Sequence, residues 1–133
     1  MNIIKDRPRV DFKEIDNTKK DDDLSPIEYI EKHYPRTADE FKRIQKEQYE
    51  LFCKKQMDYG PRNISVGTDL NTKDDVKLAL TGLWFRINDK IERLKQLVVF
   101  DQTAQNEPMI DAFKDLSVYG IIAQIVYNGK WGK

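Results

Sequence analysis

The sequence predicts an all-α fold, a helical bundle of three long helices plus one short N-terminal helix, and three observations carry that expectation. Apolar residues between Val76 and Val98 recur in steps of three, four and one. Start and stop residues bracket each candidate helix. No segment alternates apolar and polar residues with the period of two that a half-buried strand requires.

The chain opens on charged and polar residues that culminate in Lys19-Lys20-Asp21-Asp22-Asp23. Ile3, Ile4, Val10, Phe12 and Ile15 are scattered among them without a period. Residues 1–24 therefore read as a mobile or loosely docked arm, and residues 25–133 as a single all-α domain. Ser25-Pro26 has the form of an N-cap with proline at the first helical position, opening a short helix from Ile27 to about His33 that Tyr34-Pro35 stops. His33 reads as a surface residue near that end.

Thr37-Ala38-Asp39-Glu40 has the spacing of a capping box and predicts the start of the first long helix. Phe41, Ile44, Gln48, Leu51 and Phe52 fall on one stripe of it, and Gly60-Pro61 ends it, because glycine takes the left-handed cap and proline forbids continuation. Residues 60–73 read as a long polar connection, of a length that is usually functional or disordered. Asp74 or Asp75 is expected to cap the second long helix, whose core set is Val76, Leu80, Leu83, Trp84, Ile87, Ile91, Leu94 and Val98. After a polar link from Asp101 to Glu107, Pro108 introduces a third long helix that Asn128-Gly129 ends near Tyr127. The run from Val118 to Val126 is apolar around most of its circumference, so this helix is expected to be surrounded by the others, antiparallel to the second.

At 133 residues the chain has the usual size of one domain, which excludes two full catalytic domains. With 23 basic and 23 acidic residues there is no overall field to draw it onto extended nucleic acid or an anionic membrane. The single cysteine, Cys53, excludes an intramolecular disulfide and fits a reducing cytoplasm. Its plain reading is a small apolar residue on a helix. The single histidine excludes His-based zinc sites, and nothing ties it to Cys53 as a catalytic pair. The start of the chain lacks a signal-peptide apolar region, and no apolar run approaches the roughly 20 residues of a membrane span. Carboxylates, lysines and arginines remain as the groups able to do chemistry.

Asp111 and Asp115, four apart, lie on one helical face that continues into Val118, Tyr119 and Ile122. Two like charges leading into a buried side must either sit at the bundle rim in water or be neutralised, by a divalent cation or by Arg86, Lys90 or Arg93 of the preceding helix. Asp89 and Glu92 are three apart and could share a hard cation, for which Mg²⁺ is the default with oxygen ligands. The competing reading is intrahelical, Asp89 with Arg86 or Arg93 and Glu92 with Lys95. Glu47 and Glu50 repeat the three-residue spacing on the first long helix, beside Lys54 and Asp58, where acids from neighbouring helices can meet.

Three stretches, Lys54-Lys55-Gln56-Met57-Asp58-Tyr59-Gly60 with Asn63-Ile64, Thr81 to Leu94, and Asp115-Leu116-Ser117-Val118-Tyr119-Gly120-Ile121-Ile122-Ala123, together resemble the nucleotide modification associated domain family of phages and bacteria. The resemblance spans roughly residues 38–133 and implies a link to phage nucleotide metabolism or modified bases, without fixing a reaction. More distantly, the acidic pairs are similar to those of MazG-like all-α nucleoside triphosphate pyrophosphohydrolases, which bind Mg²⁺ through Glu-x-x-Glu and Glu-x-x-Asp. Here Asp111 and Asp115 are four apart instead of three, and the pair Asp89 and Glu92 begins with Asp.

Three functions compete. In a Mg²⁺-dependent nucleoside triphosphate hydrolase, Glu47, Glu50, Asp89, Glu92, Asp111 and Asp115 supply the metal ligands. Lys54, Arg86 and Lys90 then stabilise charge developing on the phosphates. In a sequestering protein, the same basic groups hold a nucleotide or a nucleotide-derived signal without metal, while Trp84, Phe85 or Tyr59 stacks on the base. Candidate ligand contacts under either reading are Tyr59, Asn63, Trp84, Asn88, Arg93 and Tyr119. The third reading is a structural or regulatory helical module. Tyr49 and Phe85, set off the main stripes, suit a homo-oligomer under all three.

Overall fold

Ser25 opens the first helix through a complete capping box, its hydroxyl accepting the Glu28 amide at 3.2 Å while the Glu28 carboxylate accepts the Ser25 amide at 3.3 Å. This is α1 (Pro26–His33) of a computed structural model that describes residues 18–133. There follow α2 (Pro35–Tyr59), a single turn α3 (Arg62–Ser65), α4 (Lys73–Leu94) extended by a π turn at Lys95–Val99, and α5 (Met109–Tyr127). The fold is all-α, and the described residues include no strand. No helix among them is long and apolar enough to cross a membrane. The described residues divide into two compact units, 18–50 and 51–133, at a boundary inside α2.

Residues 1–17 of the expected arm lie outside the described residues. In the first unit, the rest of that arm is tied to α1 by charge. A 3-10 turn at Asp21–Asp23 presents Asp21 to Lys32 and His33, each at 3.0 Å, and Lys19 reaches Glu28 at 3.0 Å. Only Tyr34 separates α1 from α2, which begins at Pro35 and not at the Thr37 box. Proline is preorganised for a first helical turn, so the helix is already under way at Thr37, and Glu40 pairs with Arg43.

The second unit holds the core. Ile64, Ala79, Leu83, Ile122, Val126 and Trp131 are buried together, flanked by Phe52, Val76, Leu80 and Val118. The helices α4 and α5 are antiparallel: Arg93 meets the carbonyls of Glu107 and Pro108, while Lys90 meets Asp115 further along α5. Thr72, and neither of the expected aspartates two and three residues later, caps α4 by accepting the Asp75 amide at 3.1 Å.

Three expectations are corrected here. The connection 60–73 is ordered, with Ile64 and Ser65 buried in α3. Val66 and Leu70 then take the left-handed region at φ 54 and 57, where Arg62 braces the loop through the Gly67 carbonyl and the Asp69 carboxylate. The helix expected to be surrounded, α5, buries one side only, through Ala112, Ile122 and Val126, and exposes Ile110, Phe113 and Ile121. The stripe of α4 is also only partly covered, since Trp84 remains 55% exposed and Ile91 and Val98 face water. Leu83, by contrast, is 2% exposed.

Beyond α5, Gly129 turns the chain at φ 70 and delivers Trp131 into the core at 6% exposure. Its indole donates to the Pro61 carbonyl at 2.9 Å and meets Phe52 edge-on at 6.0 Å between ring centroids. Gly132 follows at φ 73, where an added Cβ would stand 3.2 Å from that of Pro61.

Candidate functional site

Arg86, Lys90 and Arg93 recur at four and three residues, so α4 presents them along one line. Arg86 donates to the Asn63 carbonyl of α3 at 3.4 Å. Lys90 pairs with Asp115 of α5 at 3.0 Å, with both side chains largely shielded. Arg93 donates to the Pro108 carbonyl at 3.4 Å and to that of Glu107. The Lys90 ammonium is held above its ordinary range, first by the hydrogen bond to Asp115 and against the opposing effect of burial. Half-buried Tyr119 stands one turn beyond Asp115, and the nearby Asn63 Oδ1 is buried without a hydrogen-bond partner. The fold thus brings six predicted residues, Asn63, Arg86, Lys90, Arg93, Asp115 and Tyr119, onto one polar seam of α3, α4 and α5. Of the neutralising partners considered for Asp115, Lys90 is the one in place.

The other candidates are dispersed. Asp111 is half-buried one turn before Asp115, Asn88 is half-buried, and Asp89 is exposed. Glu92 pairs with Lys95 at 3.5 Å. Lys54 and Tyr59 are exposed on the last turns of α2. In the first unit Glu47 pairs with Arg43 and Glu50 is exposed. Among the described residues, no three His, Cys, Asp or Glu side chains form a group able to hold a metal ion.

Trp84 is not on the seam. At about 100° per residue it lies some 200° around α4 from Arg86, on the opposite side of the helix. There it lines an open groove of about 440 Å³ with Lys73, Val76, Lys77, Leu80, Thr81 and Tyr127. Residues 73, 77, 80 and 84 follow helical spacing, so the groove is one face of α4, bordered by Tyr127 at the end of α5. Val76 and Leu80 give it an apolar floor, and Lys73 and Lys77 are its charged residues. Both lysines are exposed, and neither has an ion-pair partner among the described residues. The Thr81 hydroxyl donates back to the Lys77 carbonyl at 2.7 Å. Such a surface offers a planar apolar group an aromatic contact and an anion two ammonium groups.

Lys73, Lys77 and Tyr127 were absent from the sequence-predicted set. A signal for the lysines was present, because they flank Val76 and Leu80 at the spacing that continues to Trp84. Tyr127 carried none, since its part in the groove depends on how α5 packs against α4. Comparison of the chain with protein-family models, curated proteins and solved structures finds no match.

Proposed function

We propose that this protein binds a nucleotide or a nucleotide-derived small molecule in the α4 groove without turning it over, as a cytoplasmic sequestering protein of the phage nucleotide-metabolism type. The observation that carries this reading is the composition of the groove among the described residues: exposed Trp84 and Tyr127, two lysines without an ion-pair partner and no lining carboxylate. A base stacks on the indole and phosphate charge meets Lys73 and Lys77. On the seam, Lys90 is already engaged with Asp115 and Arg86 with the Asn63 carbonyl, a structural use of groups that the hydrolytic reading assigns to phosphate chemistry. The resemblance to the nucleotide modification associated domain family supports the same ligand class.

Isothermal titration of the purified chain with nucleotides tests the proposal. Trp84→Ala is expected to weaken binding by about tenfold or more, the scale of one lost base-aromatic stack, while exposure of Trp84 leaves the fold intact. Mg²⁺-dependent release of phosphate or pyrophosphate from a nucleoside triphosphate would replace this reading with the hydrolase. Absence of binding by every nucleotide would remove it.

A further inference from the structure

We propose that the groove measures phosphate-chain length, accepting nucleoside 5′-di- and triphosphates and discriminating against monophosphates and nucleosides. The inference rests on the nucleotide-binding function proposed above. Its basis is the order of groups along α4, with Trp84 at one end of the groove, Lys77 next and Lys73 furthest away. At about 1.5 Å per residue, Lys77 lies about 10 Å from Trp84 along the axis and Lys73 about 16 Å. The two lysines are four residues apart and share a face, so both ammonium groups address the same end of a bound ligand. For a base stacked at Trp84, the α-phosphate lies within reach of the Lys77 arm, and only further phosphates extend to Lys73.

The surroundings sharpen this polarity. Leu80 lies between Trp84 and Lys77, Val76 lies between the two lysines, and neither offers charge to a ligand. Asp74 and Asp75, in the first turn of α4, do not line the groove, and the Asp75 carboxylate accepts the Asn71 amide at 3.2 Å. The Asp75 amide is occupied by Thr72, so the recognition is assigned to the lysine side chains and not to the end of the helix. Ammonium groups on flexible stems bind phosphate as point charges, which makes the selection depend on how many phosphates reach them.

The test is calorimetric titration of the full chain, with EDTA present, against the nucleoside and its 5′-mono-, di- and triphosphates for adenine, guanine, cytosine and thymine, and against inorganic tripolyphosphate. For the preferred base, affinity is expected to rise about tenfold or more from mono- to diphosphate. Lys73→Gln should erase that step, and thermal melting should show the variant folded because Lys73 is exposed. Equal affinity for mono-, di- and triphosphates would overturn the length selection while leaving nucleotide binding standing. A step that survives in folded Lys73→Gln overturns it as well. Tripolyphosphate binding as tightly as the triphosphate, with no effect of Trp84→Ala, would make this a phosphate-chain site without a base. No binding by any nucleotide would instead reject the underlying function.

Discussion

Residues 18–50 and 51–133 are both helical and both carry apolar residues at helical spacing, yet different forces organise them. The later region buries six side chains in one cluster and closes it with Trp131. The described part of the earlier region has no buried residue, and its ties include a cap, ion pairs and one ring contact: Ser25 with Glu28, Lys19 with Glu28, Asp21 with Lys32 and His33, Lys42 with Glu31, and Tyr29 against His33. Phe41 is 65% exposed there, although it heads a regular stripe. A stripe states which face is available for packing, and a second surface must still arrive to cover it. Exposed ion pairs and caps contribute about 1 kcal/mol or less each, whereas a fully buried leucine contributes several times that.

The largest expected effect is at the C-terminal closure. Trp131→Ala removes a buried indole and takes from the Pro61 carbonyl one of its two donors, leaving the Ser65 amide, a loss of about 3–5 kcal/mol read from denaturant midpoints. If the variant unfolds at the wild-type midpoint, the closure is an ornament and the core rests on α4 and α5 alone. Next comes a direct test of the contrast. Leu83→Ala should cost about 3 kcal/mol, and Phe41→Ala less than about 0.5 kcal/mol. Equal costs would mean that Phe41 is covered in solution, and light scattering would then have to show the homo-oligomer that exposed Tyr49 and Phe85 also suit.

These two residues mark how far the sequence could be read. Leu83 sits in a stripe that names α4, its register and its buried side, and the ends of α2 and α5 follow from Gly60-Pro61 and Asn128-Gly129. Trp131 was not legible as core, because it lies beyond a helix stop and its partners are distant in the chain, Pro61 by 70 residues and Phe52 by more. Ile64 was hidden for a similar reason: one apolar residue between Asn63 and Ser65 has no period to reveal it. The seam was partly legible, since residues spaced by three and four share a line whatever they face. That Trp84 and Arg86 part to opposite sides follows from helix geometry, but the groove appears only when Tyr127 is placed beside α4.

The next effect is smaller. Asp115→Asn removes the charge facing Lys90 in a partly solvated seam and should cost about 1 kcal/mol, with a similar coupling to Lys90→Met in a double-mutant cycle. A folded Asp115→Asn protein also tests the hydrolytic expectation. Any Mg²⁺-dependent nucleotide turnover that uses this carboxylate as a metal ligand disappears in it, while turnover that persists excludes that role.

The smallest effects distinguish the two regions by the sign of their pH dependence. Asp21 is held below its ordinary value of 3.8, first by the hydrogen bond from Lys32 and then by that from His33. Glu28 is held below 4.5 by Lys19 and by the Ser25 amide. A depressed carboxyl contributes stability that is present above its unfolded value and lost as pH falls through its folded one, so the loss around α1 belongs to the acid side. Lys90 is raised above 10.5, and a raised ammonium contributes stability that is complete below its unfolded value and lost as pH rises through its folded one. The contribution of Lys90 to the seam between α4 and α5 is therefore lost on the alkaline side. Amide exchange resolved by segment separates the two, with residues 25–33 losing protection first in acid and residues 86–119 in alkali. Loss of α4 and α5 protection in acid before that of α1 would show that a carboxylate other than Asp21 or Glu28 governs the acid limit, and the contrast between an ion-paired and an apolar region would then fail at its charged end.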